Sequence, residues 1–199
     1  MVLGIGATQL HAQTTISGGV KAEANLSNFI LDDMPNTKSN MGFGASLGGF
    51  MKVGFSEHFA LQPELLFHFK SSEMENKISG AKTDYQYWGM EIPVYAVGQI
   101  NLGNGKGYLG VGPYVGLGFD ARHKASGAPD LELYKEYAGQ DSAMQRWDFG
   151  GGAMLGYEFA NGIQINAGYK IGFIDALNAG KDNATMLNQT VSLGLGYRF

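Results

Sequence analysis

Two glutamates are the first residues whose placement would permit catalysis. Glu64 and Glu91 fall on the inward side of neighbouring segments at similar height. Glycosidases use such a carboxylate pair, one protonating the leaving oxygen while the other attacks or activates water. That chemistry needs space for a sugar chain, and a lumen filled by charged side chains offers none.

Other patterns fit a chemistry in spelling but not in context. Gly44-Ala45-Ser46-Leu47-Gly48 has the spacing of a hydrolase nucleophile. The elbow that exposes such a serine is a strand, a sharp turn and a helix, whereas Ser46 lies mid-strand among alternating glycines. His11, His58, His68 and His123 share no element at metal-ligand spacing. The glycines between Asn101 and Gly107 lack the Gly-Lys-Ser/Thr ending of a phosphate loop. With no cysteine there is no disulfide framework, thiolate metal site or cysteine nucleophile. A lipid-modifying barrel enzyme would need a serine and a histidine together at the outer rim, facing lipid. Ser71 and Ser72 are near that rim, but His68 points inward. The sequence therefore predicts no catalytic residue, no cofactor and no metal site. With 14 basic and 18 acidic residues, it also lacks the clustered positive charge that nucleic acid demands.

The elements that hold these residues follow from composition and period. The 199 residues include 31 glycines and only 16% charged residues. No apolar run approaches the roughly 20 residues of a helical span. From Thr15 onward the period is two, the signature of strands. In the first segment Ile16, Val20, Ala22, Ala24 and Leu26 alternate with Ser17, Lys21, Glu23 and Asn25. In the third, Phe59, Leu61, Leu65, Phe67 and Phe69 alternate with Gln62, Glu64, His68 and Lys70. Eight segments behave in this way, each with at least one charge on the less apolar face and none on the other. Many reach the roughly 9 to 11 residues that a tilted strand needs to cross hydrocarbon.

Connections alternate between short and long. Residues 56–58, 101–106 and 160–162 are tight, with Asn104-Gly105 and Asn161-Gly162 marking hairpin turns. Residues 28–40, 71–82, 123–144 and 174–185 are long. This predicts an all-β fold: an eight-stranded antiparallel up-and-down transmembrane barrel with short periplasmic turns, long extracellular loops and both termini in the periplasm. Residues 1–13 read as a partial signal peptide ending at Ala12-Gln13, and residues 14–199 as the outer-membrane barrel domain.

Eight strands close a barrel whose interior is filled by side chains. The alternation predicts an interior charge network of Lys21, Glu23, Glu64, Glu91, Asp120, Arg122, Arg146, Asp148, Glu158 and Lys170, joined by Lys52, Lys70, Asp84 and Arg198. Inward glycines make room for Tyr108 and Tyr114. Function beyond structure is expected in the loops. Residues 130–139 read as a short helix, and Leu133, Tyr134 and Tyr137 as candidate loop contacts. Two readings stay open, a lid resting on the barrel rim and a knob for a protein partner.

Several pieces together resemble a known family: Leu61-Gln62-Pro63-Glu64-Leu65-Leu66, Met90-Glu91-Ile92-Pro93-Val94, Gly112-Pro113-Tyr114, Gly156-Tyr157-Glu158-Phe159 and the ending Leu193 to Phe199. In order and spacing they look like the PorT-like outer-membrane β-barrels of Bacteroidetes-type bacteria. The resemblance implies an integral protein of the cell outer membrane, without enzymatic activity, in a structural, adhesive or secretion-associated role. A lipid-modifying enzyme or a small-solute pore are the alternatives. Leu195, Tyr197 and Phe199 resemble the terminal signal read by the barrel-assembly machinery. The expected partners are outer-membrane lipid, that machinery during insertion and a protein at the extracellular loops, with no nucleic acid.

Overall fold

A computed structural model describes residues 14–80, 82–125, 131–134, 144–176 and 185–199. The strands are β1 (Thr15–Asp32), β2 (Thr37–Gly54), β3 (Phe59–Asn76), β4 (Lys82–Leu102), β5 (Gly105–Ala125), the two-residue β6 (Leu131–Glu132), β7 (Trp147–Phe159), β8 (Ile163–Gly172) and β9 (Thr185–Arg198). Eight of them pair antiparallel in a ring, in the order β1, β2, β3, β4, β5, β7, β8, β9. The ring closes where β9 returns to β1, from Gly19 opposite Arg198 to Asp32 opposite Thr185. Among the described residues, β6 pairs only with Arg122 and His123 of β5. The expected signal peptide lies outside the described residues.

Burial is inverted relative to a water-soluble barrel. Leu193, Leu47 and Leu155 are exposed on the outer wall, while Lys21, Glu64 and Glu91 are buried within. Only a hydrocarbon solvent rewards that arrangement, and ring closure leaves no unpaired sheet edge facing it. On β3 the outward apolar run extends from Phe59 to Phe69, which at about 3.3 Å per residue and a tilt near 40° covers roughly 25 Å of bilayer. Aromatic pairs border the band. Phe69 and Trp88, with ring centroids 4.9 Å apart, and Phe149 and Phe173 at 6.2 Å mark the upper edge. Phe55 with Phe59 and Tyr157 with Phe159 mark the lower one. The turn after β7 is tight, and Gly162 takes φ 87° there, a conformation that costs glycine little.

The long connections on the upper side are built differently from loops. β1 and β2 stay strand until residues 33–36, β3 stays strand to Asn76, and β4 is strand from Lys82 onward. The two hairpin tips are stitched together: the Lys77 backbone N–H donates to Asn36 O at 2.9 Å and its ammonium to Pro35 O at 3.1 Å. Apolar alternation ends where hydrocarbon ends, but backbone pairing continues into water. Residues 131–134 are strand β6 and a turn, not the expected first turn of a helix, because β5 offers Leu131 and Glu132 a pairing edge.

A bulge in β5 corrects the expected facing of two charges. Trp88 opposes Asp120 while Gly89 opposes Gly118, leaving Phe119 as an extra residue. One inserted residue reverses every later side chain. Ala121 therefore points inward and is buried, whereas Asp120 and Arg122 face outward, with Arg122 Nε 2.9 Å from Asp120 Oδ2. Neither belongs to the interior network. Asp84, an even number of positions from outward Trp88, is also exposed outside.

Candidate functional site

The waist of the lumen holds a continuous ladder of alternating charge. Lys21 lies 3.0 Å from Glu64 and 2.9 Å from Glu23. Glu23 is 3.8 Å from Lys170, which is in close contact with Glu91, and Glu91 receives Lys70 at 3.1 Å. Strands β1, β3, β4 and β8 supply these six residues, and all six are buried. Strand alternation puts Lys21 and Glu23 on one face two residues apart, and barrel curvature brings the opposite walls within reach. Below the ladder Glu158 accepts Lys52 at 3.1 Å, Arg198 at 2.7 Å and Gln164 at 2.8 Å. Lys52 also stands 5.7 Å from the centre of the Tyr108 ring. Ions removed from water are stable only when paired in this way.

This geometry does not form the glycosidase-like pair. Glu64 and Glu91 are each engaged by lysine, and Lys21, Glu23 and Lys170 stand between them in the ladder. Nor are a serine and a histidine brought together at the rim. Ser71 donates to Phe43 O at 2.6 Å on the outer wall, whereas Ser72 and His68 are buried inside. Among the described residues no group of three or more His, Asp or Glu is placed to hold a metal ion.

Above the ladder, Asp148 Oδ2 accepts the Tyr114 hydroxyl at 3.0 Å and the Asn188 carboxamide at 2.9 Å. A side chain at Gly150 would collide with the Tyr114 ring. Asn188 in turn accepts from Tyr87 at 3.3 Å. The cavity at this level measures about 30 Å³ and is lined in part by His68, Glu91, Asp148 and Asn188. That is room for about one water molecule.

An apolar cap closes the upper mouth. Phe29, Tyr87, Ala121, Leu133, Met144, Ala176 and Met186 pack together, with Tyr134 against them. Leu133 is 6% exposed. A residue so enclosed has no surface for a partner, so Leu133 is a lid residue and not a loop contact. Tyr134 lies over Gly118, where any β-carbon would overlap its phenol. The Arg146 guanidinium sits 5.5 Å from the Tyr134 ring centre and donates to Tyr134 O at 3.0 Å. Arg146 thus caps the lid from the exposed side and is no member of the interior network. Burial, then the nearby Asp148, pushes the Tyr134 hydroxyl up to about 12, with Arg146 opposing. Tyr137 lies outside the described residues.

Of the ten residues expected in the interior network, the structure joins Lys21, Glu23, Glu64, Glu91 and Lys170 in the ladder, with Glu158 below and Asp148 above. Sequence reasoning missed Phe29 and Met186, which it placed at a loop base and beyond a strand end. The signal was their parity, since β1 and β9 keep alternating past the apolar segment.

The chain belongs to the outer membrane protein beta-barrel domain family, whose model matches residues 1–199. It is a protein of the outer membrane. Among solved structures, the outer membrane protein OprG from Pseudomonas aeruginosa is similar with a TM-score of 0.55 and 13% identity, covering 94% of this chain and 97% of that one. Neisserial surface protein A is similar at a TM-score of 0.48 and 17% identity, covering 93% and 99%. Ail, the attachment invasion locus protein of Yersinia pestis, is similar at 0.47 and 16%, covering 92% and 99%. No curated protein matches.

Proposed function

We propose that the protein is a non-enzymatic, closed outer-membrane barrel that acts by engaging a partner at its extracellular end, in an adhesive or secretion-associated role. One observation carries the reading. The lumen is filled by a charge ladder and capped by an apolar lid, while β1 to β5 continue above the aromatic girdle as a paired, stitched wall. A closed interior leaves the raised wall as the working surface. The PorT-like resemblance supports the secretion-associated branch of this reading, and the fold likeness to outer-membrane barrels is compatible with either branch.

Leu195, Tyr197 and Phe199, all exposed on the outer wall, serve as the assembly signal in this account. Removing Phe199 should lower insertion in cells and leave spontaneous folding in detergent much less affected. The functional test replaces residues 33–36 and 77–80 with plain Gly-Ser turns in cells that otherwise lack the protein. The expected result is a correctly inserted, heat-modifiable barrel with loss of cell attachment or of protein secretion. Full recovery of both by the trimmed chain contradicts it.

A further inference from the structure

We infer that the notch between β2, β3 and β4, just above the upper aromatic girdle, binds a sugar ring through its hydroxyl groups. The inference does not depend on the proposed role of the hairpin tips. β2 carries a register shift against β3 between Met41 and Ala45. There Gly42 runs so close to β3 that a β-carbon on it would meet Ser71 Oγ at 2.5 Å. The shift opens a hollow of about 300 Å³ on the outer wall, lined by Asn40, Met41, Ser71, Glu73, Asp84 and Gln86. That is the lower end of the size range of small-ligand sites.

Its height is fixed by the ladder of β3 and β4. Phe69 opposes Trp88 in the girdle, Ser71 opposes Gln86 one step higher, and Glu73 opposes Asp84 one step above that. Each step of two residues rises about 5 Å along the membrane normal at a tilt near 40°. The hollow therefore begins within the headgroup layer, which adds roughly 5–8 Å beyond the hydrocarbon on each side, and its Glu73–Asp84 end, about 10 Å above the girdle, opens at the outer surface of that layer.

Its lining selects the ligand. Carboxylates and carboxamides accept hydrogen bonds from neighbouring hydroxyls, and the Met41 side chain, 48% exposed, offers an apolar contact for the C–H face of a ring. The polar part is set in advance. Asn40 Nδ2 and Lys82 Nζ both hold Glu73 Oε1, at 3.1 and 2.9 Å, and these contacts keep the Glu73 carboxyl below its ordinary range. Glu73, Glu75 and Asp84 act on Lys82, and Lys82 and Lys38 act on Glu73, so three carboxylates face two ammonium groups here and the hollow disfavours phosphate and sulfate. Two sources carry this chemistry: the sugar headgroup of an outer-leaflet glycolipid and a soluble saccharide.

The test uses the full chain in nanodiscs of phosphatidylcholine. Saturation-transfer NMR is run with an uncharged oligosaccharide released from dextran by mild acid, and binding is measured separately to discs containing an intact, uncharged glycolipid, monogalactosyldiacylglycerol. The double variant Glu73→Gln with Gln86→Ala removes two acceptors and should weaken binding about tenfold. Lys106→Ala at the opposite end should bind as the unmodified chain does, and heat-modifiable migration confirms that each variant is folded. Binding of the released oligosaccharide identifies a soluble-saccharide site, and binding of the intact glycolipid alone identifies a headgroup site. Binding of neither, unchanged affinity in the folded double variant, or full competition by inorganic phosphate overturns the inference.

Discussion

Lys170 on β8 and Glu91 on β4 meet across the lumen, and through this contact the two opposite walls of the barrel are tied at the waist. Lys70 shares the same carboxylate at 3.1 Å. Glu91→Ala leaves both ammonium groups short of a partner in a buried site. The expected cost is about 3–5 kcal/mol, the range for breaking a buried ion pair by deleting one member. Urea unfolding in lipid vesicles measures it. Glu91→Gln, which keeps shape and hydrogen bonding, should cost less.

The bulge at Phe119 makes a prediction that the uninterrupted alternation reverses. Cysteines at Asp120 and Arg122 should react with a bulky, membrane-impermeant maleimide on intact cells, and a cysteine at Ala121 should not. Labelling at Ala121 with protection at Asp120 and Arg122 would restore the unbulged register.

The lid has a titration signature. Because the Tyr134 hydroxyl is raised to about 12, above its ordinary value near 10, its contribution to stability is complete below pH 10. It is lost as pH climbs from about 10 through 12, when the buried phenol must ionise. Absorbance at 295 nm should show one late-titrating tyrosine fewer in Tyr134→Phe. An unchanged late phase in the variant would place the phenol in water.

The outer wall is tested by depth. Leu193→Arg should destabilise the inserted barrel by about 2–4 kcal/mol if it lies near the bilayer midplane, and Ile16→Arg near the lower edge by about 0–1 kcal/mol. Equal costs would mean that the two positions do not differ in depth.

Much of the barrel was legible because lipid imposes apolarity on one face of every crossing strand. Ile16 to Leu26 and Phe59 to Phe69 announce their faces without any knowledge of partners. The ladder members Lys21, Glu23, Glu64, Glu91 and Lys170 could be read from parity alone. What parity could not supply was the bulge, since Phe119 is apolar and looks like an ordinary outward residue until its ladder is known. Strand above the membrane was also hidden. Ser71 to Asn76 pairs as well as Phe59 to Phe69, yet water in place of lipid removes the apolar signal. The lid escaped for a third reason. Leu133 reaches Phe29 and Met186 only after the ring has closed, and no local pattern encodes a contact between a connection and the inside of the barrel it crowns.

Closure of the lumen is the claim on which the account rests, and conductance of the purified chain in a planar bilayer tests it most directly. With the ladder paired and the lid in place, the unmodified protein should show no stable open state at any holding potential that the bilayer tolerates. A steady, reproducible single-channel conductance would contradict the closed barrel and make the interior, not the raised wall, the working part of the molecule.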